Sequence, residues 1–207
     1  MFLDCKKIKG GQGTTYDANH TDAAYARVDG GNRVTSKNKD NIGVNDGTAS
    51  FDPSTLTLTL NNVYVYADRD DGILSGTASM EGMPDFKIVC NGTNEVESTD
   101  FVGLTQYGGS CTVKGGKLIL YAPSDAGIFL AADTKLTLQD TDVETSSAYK
   151  PIGGAGKDKN CKVEVNNSRL RAETVNGSVN PVTGLTSFDL VDCNYADNGN
   201  WRSCASK

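Results

Sequence analysis

Residues 136–143, Leu-Thr-Leu-Gln-Asp-Thr-Asp-Val, and residues 163–170, Val-Glu-Val-Asn-Asn-Ser-Arg-Leu, follow one pattern. In each stretch apolar residues alternate with polar ones, a turn of Asn or Asp residues follows, and an apolar residue then returns. Alternation with a period of two is the signature of a strand with one buried face. Asn, Asp and Gly tolerate left-handed backbone angles and favour turns. Each stretch therefore predicts strand, turn and strand.

The same pattern recurs along the chain, in residues 58–65, 88–96, 118–121 and 188–193. A third short apolar segment precedes most of the units, at residues 72–74, 102–104, 127–129 and 152–154. The glycines at 72, 103 and 127 are 31 and 24 residues apart, and Gly153 lies 26 residues further on. A regular spacing of this kind indicates stacked units, none of which can bury its apolar face alone.

Three short strands in a repeat of about 25 residues predict an all-β fold, a right-handed, single-stranded parallel β-helix. The competing interpretation is a sandwich built from tandem hairpins. A sandwich needs antiparallel order between neighbouring strands, and it would not place the same residue class at the same offset in every repeat. We therefore expect one continuous core, to which the inward positions contribute Leu58, Leu60, Val65, Ile88, Val96, Val113, Leu120, Leu136, Leu138, Val143, Val163, Val165 and Leu170.

The repeat divides the chain into three parts. Residues 1–50 are expected to form an N-terminal segment whose hairpin, within residues 25–35, caps the open end of the helix. Residues 51–198 form the β-helix, with Asp52-Pro53 at its entry, and residues 199–207 form a C-terminal tail.

Composition excludes several classes of function. The formal net charge is −6 and the chain has no run rich in Lys or Arg, so it lacks the electrostatic footprint of a nucleic-acid-binding protein. No segment approaches the ~20 apolar residues of a membrane helix, so we expect no membrane insertion. Residues 1–5 are too short and too polar for a secretory signal, which leaves a cytoplasmic protein or a processed or excised part of an exported one.

Cysteine usage weakly favours export. None of the six cysteines lies in a CxxC pair, and His20 is the sole histidine, so a Cys/His metal cluster is not supported. Several cysteines are expected to be small core hydrophobes. Cys193 and Cys204 are the best candidates for a disulfide.

A resemblance adds to this interpretation. Residues 34–38, Val-Thr-Ser-Lys-Asn, and residues 49–63 look like the opening of a family of repeat proteins from gut Bacteroidetes and Clostridia, in which a stretch of the form VTS…G…SYDP.TNTLTLNNA leads into β-helix coils. Residues 112–118, 125–128 and 136–143 continue the similarity, which spans roughly residues 33–195. Members are generally described as secreted or surface proteins of unknown function, sometimes as carbohydrate-binding. The resemblance implies export, this fold and a binding role, and it carries no catalytic residue across.

The first residues repeat a later piece of the sequence. Phe2-Leu3-Asp4-Cys5 is similar to Leu190-Val191-Asp192-Cys193, which is consistent with a chain that is one piece of a tandem array or with coincidence.

No constellation of residues predicts catalysis, and no cofactor is expected. Nucleophilic catalysis of the Ser-His-Asp or Cys-His type needs a base beside the nucleophile, and His20 lies in a Gly/Asn/Thr-rich stretch typical of a solvated loop. Asp68, Asp70 and Asp71 form the densest carboxylate group, but glycine occupies position 72, where a calcium loop would continue its alternating ligands. We interpret this group as an acidic turn, with calcium binding as the less favoured alternative.

The outward-facing pattern is the more informative one. If Val65, Val96, Leu120, Val143 and Leu170 form one inward column, their neighbours form a flat outward strip on parallel strands about 4.8 Å apart. Aromatic faces stack on sugar rings, and carboxylates and guanidinium groups bond hydroxyls. The predicted ligand-binding residues are Tyr64, Tyr66 and Tyr121, with Glu97, Glu144, Arg169 and Arg171 as polar contacts.

These observations favour a secreted or surface-displayed, non-catalytic binding module for carbohydrate or a host glycoprotein. Two alternatives stay open. One is a structural spacer or adhesin stalk segment without a ligand of its own. The other is a polysaccharide lyase or glycoside hydrolase of the β-helix type, which would need a carboxylate pair or a metal site in a cleft.

Overall fold

The computed structural model describes residues 39–40, 42, 44–75, 85–175 and 180–197, together with the backbone of residues 200–204. These residues contain fifteen strands and no helix. In chain order the strands are β1 (Asp46–Asp52), β2 (Thr57–Ala67), β3 (Ile73–Ser75), β4 (Phe86–Ser98), β5 (Leu104–Gln106), β6 (Gly109–Ala122), β7 (Ala126–Leu130), β8 (Thr134–Ser147), β9 (Lys150–Gly154), β10 (Lys162–Asn166), β11 (Arg169–Thr174), β12 (Val182–Thr183), β13 (Ser187–Val191), β14 (Cys193–Asp197) and β15 (Asn200–Cys204).

The strands form two sheets that run side by side along the stack. The long sheet has the order β1-β2-β4-β6-β8-β11-β14-β15, with β10 pairing β8 on one side and β13 on the other. The short sheet has the order β12-β9-β7-β5-β3. Each strand that pairs with the next coil does so in parallel, and the antiparallel pairs lie at the two ends of the long sheet, β1 with β2 and β14 with β15. This pairing confirms the parallel β-helix and rules out the sandwich.

Each coil contains the three strand segments that the repeat predicts, but two of them are continuous. Strand β8 runs for 14 residues through the polar turn at Asp140, and β4 and β6 do the same. The two segments separate only in the later coils, as β10 and β11, and then as β13 and β14. The repeat length varies, since Ile88 lies opposite Val113, 25 residues later, whereas Leu138 lies opposite Val165, 27 residues later.

One core fills the interior of the stack. Eleven of the thirteen predicted inward positions are buried, most of them completely. The other two, Leu58 and Val65, are partly buried and pack against the same core. Both belong to the first described coil, in which β2 pairs with the next coil on one side and with the antiparallel strand β1 on the other. The predicted core is therefore confirmed, and its residues in the first described coil are less completely buried.

The corner inside each long strand is formed by a residue with a left-handed backbone. These corner residues are Asn62, Gly92, Gly115, Asp140, Asn167 and Asp192, with φ values between +44° and +82°. Asn, Asp and Gly are the residue types that adopt this conformation most readily. The polar turns in the sequence are thus the positions where each coil changes direction.

Buried polar side chains next to the corner join successive coils. The Asn94 Oδ1 atom accepts a hydrogen bond from the Val63 amide at 3.1 Å, and its Nδ2 atom donates to the Lys117 carbonyl at 3.2 Å. Asn94 thereby connects the coil before its own to the coil after it. In later coils, Ser168 Oγ accepts from the Thr141 amide at 3.1 Å, and Thr141 Oγ1 donates to the Gly116 carbonyl at 3.3 Å.

The glycines at regular spacing near the start of the short-sheet strands lie where the backbones of successive coils approach each other closely. A Cβ atom on Gly72 would lie 2.7 Å from the Gly103 carbonyl oxygen, and one on Gly103 would lie 2.7 Å from the Gly127 carbonyl oxygen. A Cβ atom on Gly127 would lie 2.9 Å from the Pro151 carbonyl oxygen. Glycine is required here because a side chain would collide with the backbone of the next coil.

The two ends of the chain were expected to form a hairpin cap and a tail. The hairpin expected within residues 25–35 lies outside the described residues, and the strand that covers the first coil in the structure is β1. Residues 200–204, assigned from sequence to a tail, instead form β15 and extend the sheet beyond β14. The alternation of apolar residues is short there, which is why the sequence pattern did not indicate a strand.

Replacing Asn94 with Ala tests the buried corner. The substitution leaves the Val63 amide and the Lys117 carbonyl without this partner in a water-excluded interior, and each such group costs about 1–3 kcal/mol. We expect the free energy of unfolding to fall by about 2–4 kcal/mol in chemical denaturation. Asn91→Ala is the matched control, because Asn91 is exposed and bonds the Asn61 side chain. A similar loss for both variants would contradict the role assigned to Asn94.

The glycine column makes a second prediction. Gly103→Ala forces apart two coil backbones and should destabilise the fold by about 1–3 kcal/mol. Gly153→Ala should change stability by roughly 0.5 kcal/mol or less, since a Cβ atom there meets the flexible Lys150 side chain at 3.2 Å. Thermal unfolding of both variants measures the difference, and equal melting temperatures would show that the coils can separate without cost.

Candidate functional site

The predicted strip lies on the outward face of the long sheet, on the part of each long strand that follows the corner. Its register differs from the one expected from sequence. The sequence aligned Leu120 with Val143, but the structure places Leu120 opposite Thr145 and Leu118 opposite Val143. The single inward column proposed from sequence is therefore two neighbouring columns. The alignment slipped because the register shifts at the corner, around Gly115. A slip of two residues keeps every side chain on its own face, so the outward residues are still outward.

Three adjacent columns of side chains make up this face, which we name the three-column surface. The middle column is Tyr64, Glu95, Ile119, Glu144 and Arg171; the column on one side is Tyr66, Glu97, Tyr121, Ser146 and Glu173; the column on the other is Thr93, Lys117, Asp142, Arg169 and Asn194. All seven predicted ligand-binding residues lie on it. Parallel strands about 4.8 Å apart give it a length of roughly 19 Å over five rungs.

The tyrosines are placed differently from one another on this surface. Tyr66 is 40% exposed and lies in the same column as Tyr121, with Glu97 between them. Tyr64 is half-buried, and its hydroxyl donates a hydrogen bond to Glu97 Oε2 at 3.0 Å. Burial, and then the bond to Glu97, raise the pKa of Tyr64 above its ordinary value. Tyr66 is therefore the aromatic ring most available for contact.

The charged residues of the surface pair mostly with each other. Lys117 Nζ lies 2.7 Å from Glu144 Oε1, and Arg171 Nη2 lies 2.7 Å from Glu173 Oε1. Arg169 Nη1 lies 3.3 Å from Asp142 Oδ2 along the third column. Exposed pairs of this kind stabilise a fold by about 0–1 kcal/mol each. Each pair places a carboxylate beside a cationic group on the outward face of the sheet.

A shallow groove of about 340 Å³ borders this surface at the corner. It is lined by the buried Thr141 and Ser168 and by Asp142, Arg169 and Asn194 of the third column. The corner residues Asp140, Asn167 and Asp192 also line it, and Asn167 Nδ2 donates to Asp140 Oδ1 at 2.6 Å. Sequence reasoning missed the groove. The signal for it was the recurrence of Asn or Asp at the corner in three successive coils.

The acidic group at Asp68, Asp70 and Asp71 shapes the turn between β2 and β3. Asp71 Oδ1 accepts from the Val102 amide at 3.0 Å, and Asp68 Oδ1 accepts from Thr99 Oγ1 at 3.3 Å, so both hold the next coil. Burial raises the pKa of the partly buried Asp71 carboxyl. Among the residues the structure describes, no group of three or more His, Cys, Asp or Glu residues is arranged to hold a metal ion.

Two of the buried thiols, those of Cys90 and Cys111, are poor nucleophiles. Burial raises the pKa of Cys90 and of Cys111 to about 12, so neither forms a thiolate near neutral pH. Both side chains fill the core, as expected from sequence. His20, the residue that would have to serve as a histidine base, lies outside the described residues.

In comparisons with known proteins, no family model, curated protein or solved structure matches the chain. Within the described part of the chain, no helix has the length and apolar character needed to cross a membrane.

The pKa of Tyr64 offers a test of this geometry. Glu97→Gln removes the negative charge that disfavours the tyrosinate and should lower the pKa of Tyr64, though burial still keeps this pKa above its ordinary value. A tyrosine whose folded pKa is raised stabilises the fold below its unfolded pKa, and this stabilisation is lost as pH rises through the folded value. Ultraviolet titration, with Tyr64→Phe subtracted to isolate the signal, measures the change. An unchanged pKa would place Tyr64 away from Glu97.

Proposed function

We propose that the chain is a non-catalytic binding module of a secreted or surface-displayed protein, and that it takes a glycan, free or on a host glycoprotein, along the three-column surface. Export rests on the resemblance of residues 33–195 to secreted repeat proteins. The observation that carries the ligand assignment is the register, which brings Tyr66 and Tyr121 into one column with Glu97 between them.

This arrangement suits a sugar chain for two reasons. A flat aromatic ring contacts the C–H face of a sugar, and Tyr keeps a hydroxyl at its edge for polar contacts. Carboxylates of Glu97 and Glu144 accept hydrogen bonds from hydroxyls, and the Arg171 guanidinium donates them. A sheet that is hydrogen-bonded on both sides holds these groups in place before binding, which limits the entropy lost on association.

The groove beside the third column extends the proposed surface. It places Asn167, Asn194 and Arg169 next to Asp142, within one concave polar region. Side-chain amides both donate and accept, which matches the mixed hydrogen bonding of sugar hydroxyls. A glycan that runs diagonally over the surface, from β2 towards β8 and β11, would contact Tyr66 at one end and the groove at the other.

A structural spacer is the second candidate function, and one observation favours it. The ion pairs Lys117–Glu144, Arg169–Asp142 and Arg171–Glu173 give six of the charged residues on this surface a partner within the protein. A solvated face with internally paired charges requires no ligand. A glycan array probed with the full chain separates the two functions, because a spacer should bind no glycan.

The contribution of Tyr66 provides the sharper test. For a glycan retained on the array, Tyr66→Ser should weaken binding roughly tenfold or more in calorimetry, which corresponds to about 1.4 kcal/mol of lost stacking. The melting temperature should stay nearly unchanged, because Tyr66 contributes little core volume. Tyr64 is unsuitable as the first variant, since it is half-buried and bonded to Glu97.

Tyr149→Ser is the matched control for this experiment. Tyr149 is 61% exposed and lies between β8 and β9, off the three-column surface. It should leave affinity unchanged. Equal losses in the two variants, or none in Tyr66→Ser, would move the binding site away from the three columns.

A further inference from the structure

The last strand pair of the long sheet brings two cysteines into register. Strands β14 and β15 pair antiparallel, and Cys193 lies directly opposite Cys204, with Asn194 opposite Ser203 next to them. Cys193 is buried at the edge of the core. From β2 to β14 the described pairs of the long sheet are all parallel, so this antiparallel hairpin lies at the end of the described stack.

Directly opposed residues of an antiparallel pair have the separation that a disulfide needs. Their Cα atoms lie about 4.5 or 5.5 Å apart, depending on the hydrogen-bonding pattern, and their Cβ atoms lie on the same face. Disulfides span Cα separations of about 4.4–6.8 Å. The backbone register therefore satisfies the distance requirement without rearrangement.

The other cysteines of the described core are not placed for bridging. Cys90 lies opposite Gly115, four residues along β6 from Cys111, which corresponds to about 13 Å at ~3.3 Å per residue. Two cysteines more than about 7 Å apart cannot be joined without backbone movement. The Cys161 thiol instead points at the carbonyl oxygen of Ala131, 3.2 Å away.

We propose that Cys193 and Cys204 form a disulfide that links β15 covalently to β14. The bond forms when the protein meets a small-molecule disulfide such as oxidised glutathione. One cysteine thiolate attacks the glutathione disulfide, forms a mixed disulfide and releases one reduced glutathione. The second thiolate then attacks the protein sulfur of that mixed disulfide and releases the second. The protein loses two hydrogen atoms, and one oxidised glutathione becomes two reduced molecules.

The lock has a clear structural consequence. Among the strands that the structure describes, β15 pairs with β14 alone. A covalent link between the two strands limits the unfolded conformations of the hairpin and prevents β15 from detaching first. The last coil would then be more stable in an oxidising compartment than in a reducing one.

Peptide mapping of the full chain tests the bond directly. Protein equilibrated with excess oxidised glutathione is alkylated, digested with trypsin without reduction and analysed by mass spectrometry. Cleavage after Arg171 and Arg202 places Cys193 in residues 172–202 and Cys204 in residues 203–207. The proposal expects these two peptides joined, and two hydrogen masses below their sum. Alkylated Cys193 and Cys204, or a link from either to Cys5, would overturn it.

Thermal unfolding tests the lock itself. Reduction of the oxidised protein should lower its melting temperature by about 5 °C or more, given the usual stabilisation by a native disulfide in a chain of this size. The Cys193→Ala/Cys204→Ala double variant should show no response to reductant, whereas Cys161→Ala should respond like the parent protein. A linked pair whose reduction leaves the melting temperature unchanged would overturn the locking role.

Discussion

The solenoid depends on each coil turning its corner without losing hydrogen bonds to the coils on either side. At the corner the ladder of parallel pairing is interrupted, and backbone groups there need other partners in a buried setting. Asn94, Thr141 and Ser168 supply them from inside the stack. Left-handed Asn, Asp or Gly residues on the outside allow the chain to bend at the same point. The fold therefore depends on polar residues at these positions as well as on the apolar core.

The rest of the architecture follows from this alignment of corners. Once the corners stack, the two halves of every long strand are in register, and their side chains line up in columns. The glycines at 72, 103 and 127 set a close backbone approach at the entry to the short sheet, so the coils stay evenly spaced on that side as well. A surface built in this way holds its side chains in regular columns, which is the property that the proposed binding function uses.

Much of the candidate surface could be predicted from sequence because an alignment error of two residues leaves every side chain of a strand on the same face. The alignment of Leu120 with Val143 was wrong by two residues, yet Tyr121 and Glu144 still lie on the outward face. Their neighbours changed: Glu144 lies beside Ile119 and bonds Lys117, and Tyr121 lies between Glu97 and Ser146. Which side chains become neighbours depends on the number of residues in the corner of each coil. The average spacing of the repeat does not give that number.

The sequence by itself determined the class of fold, the inward and outward faces and the positions of the turns, because each follows from a local period or from the conformational preference of one residue. Only the tertiary structure decided the pairing of Leu120 with Thr145, the groove beside Asp142, and the register that opposes Cys193 to Cys204, which the sequence offered only as candidates for a disulfide. These features join residues of different strands, and their register is fixed by hydrogen bonds between segments that are distant in the chain. A pattern within one coil contains no information on how the next coil is shifted against it.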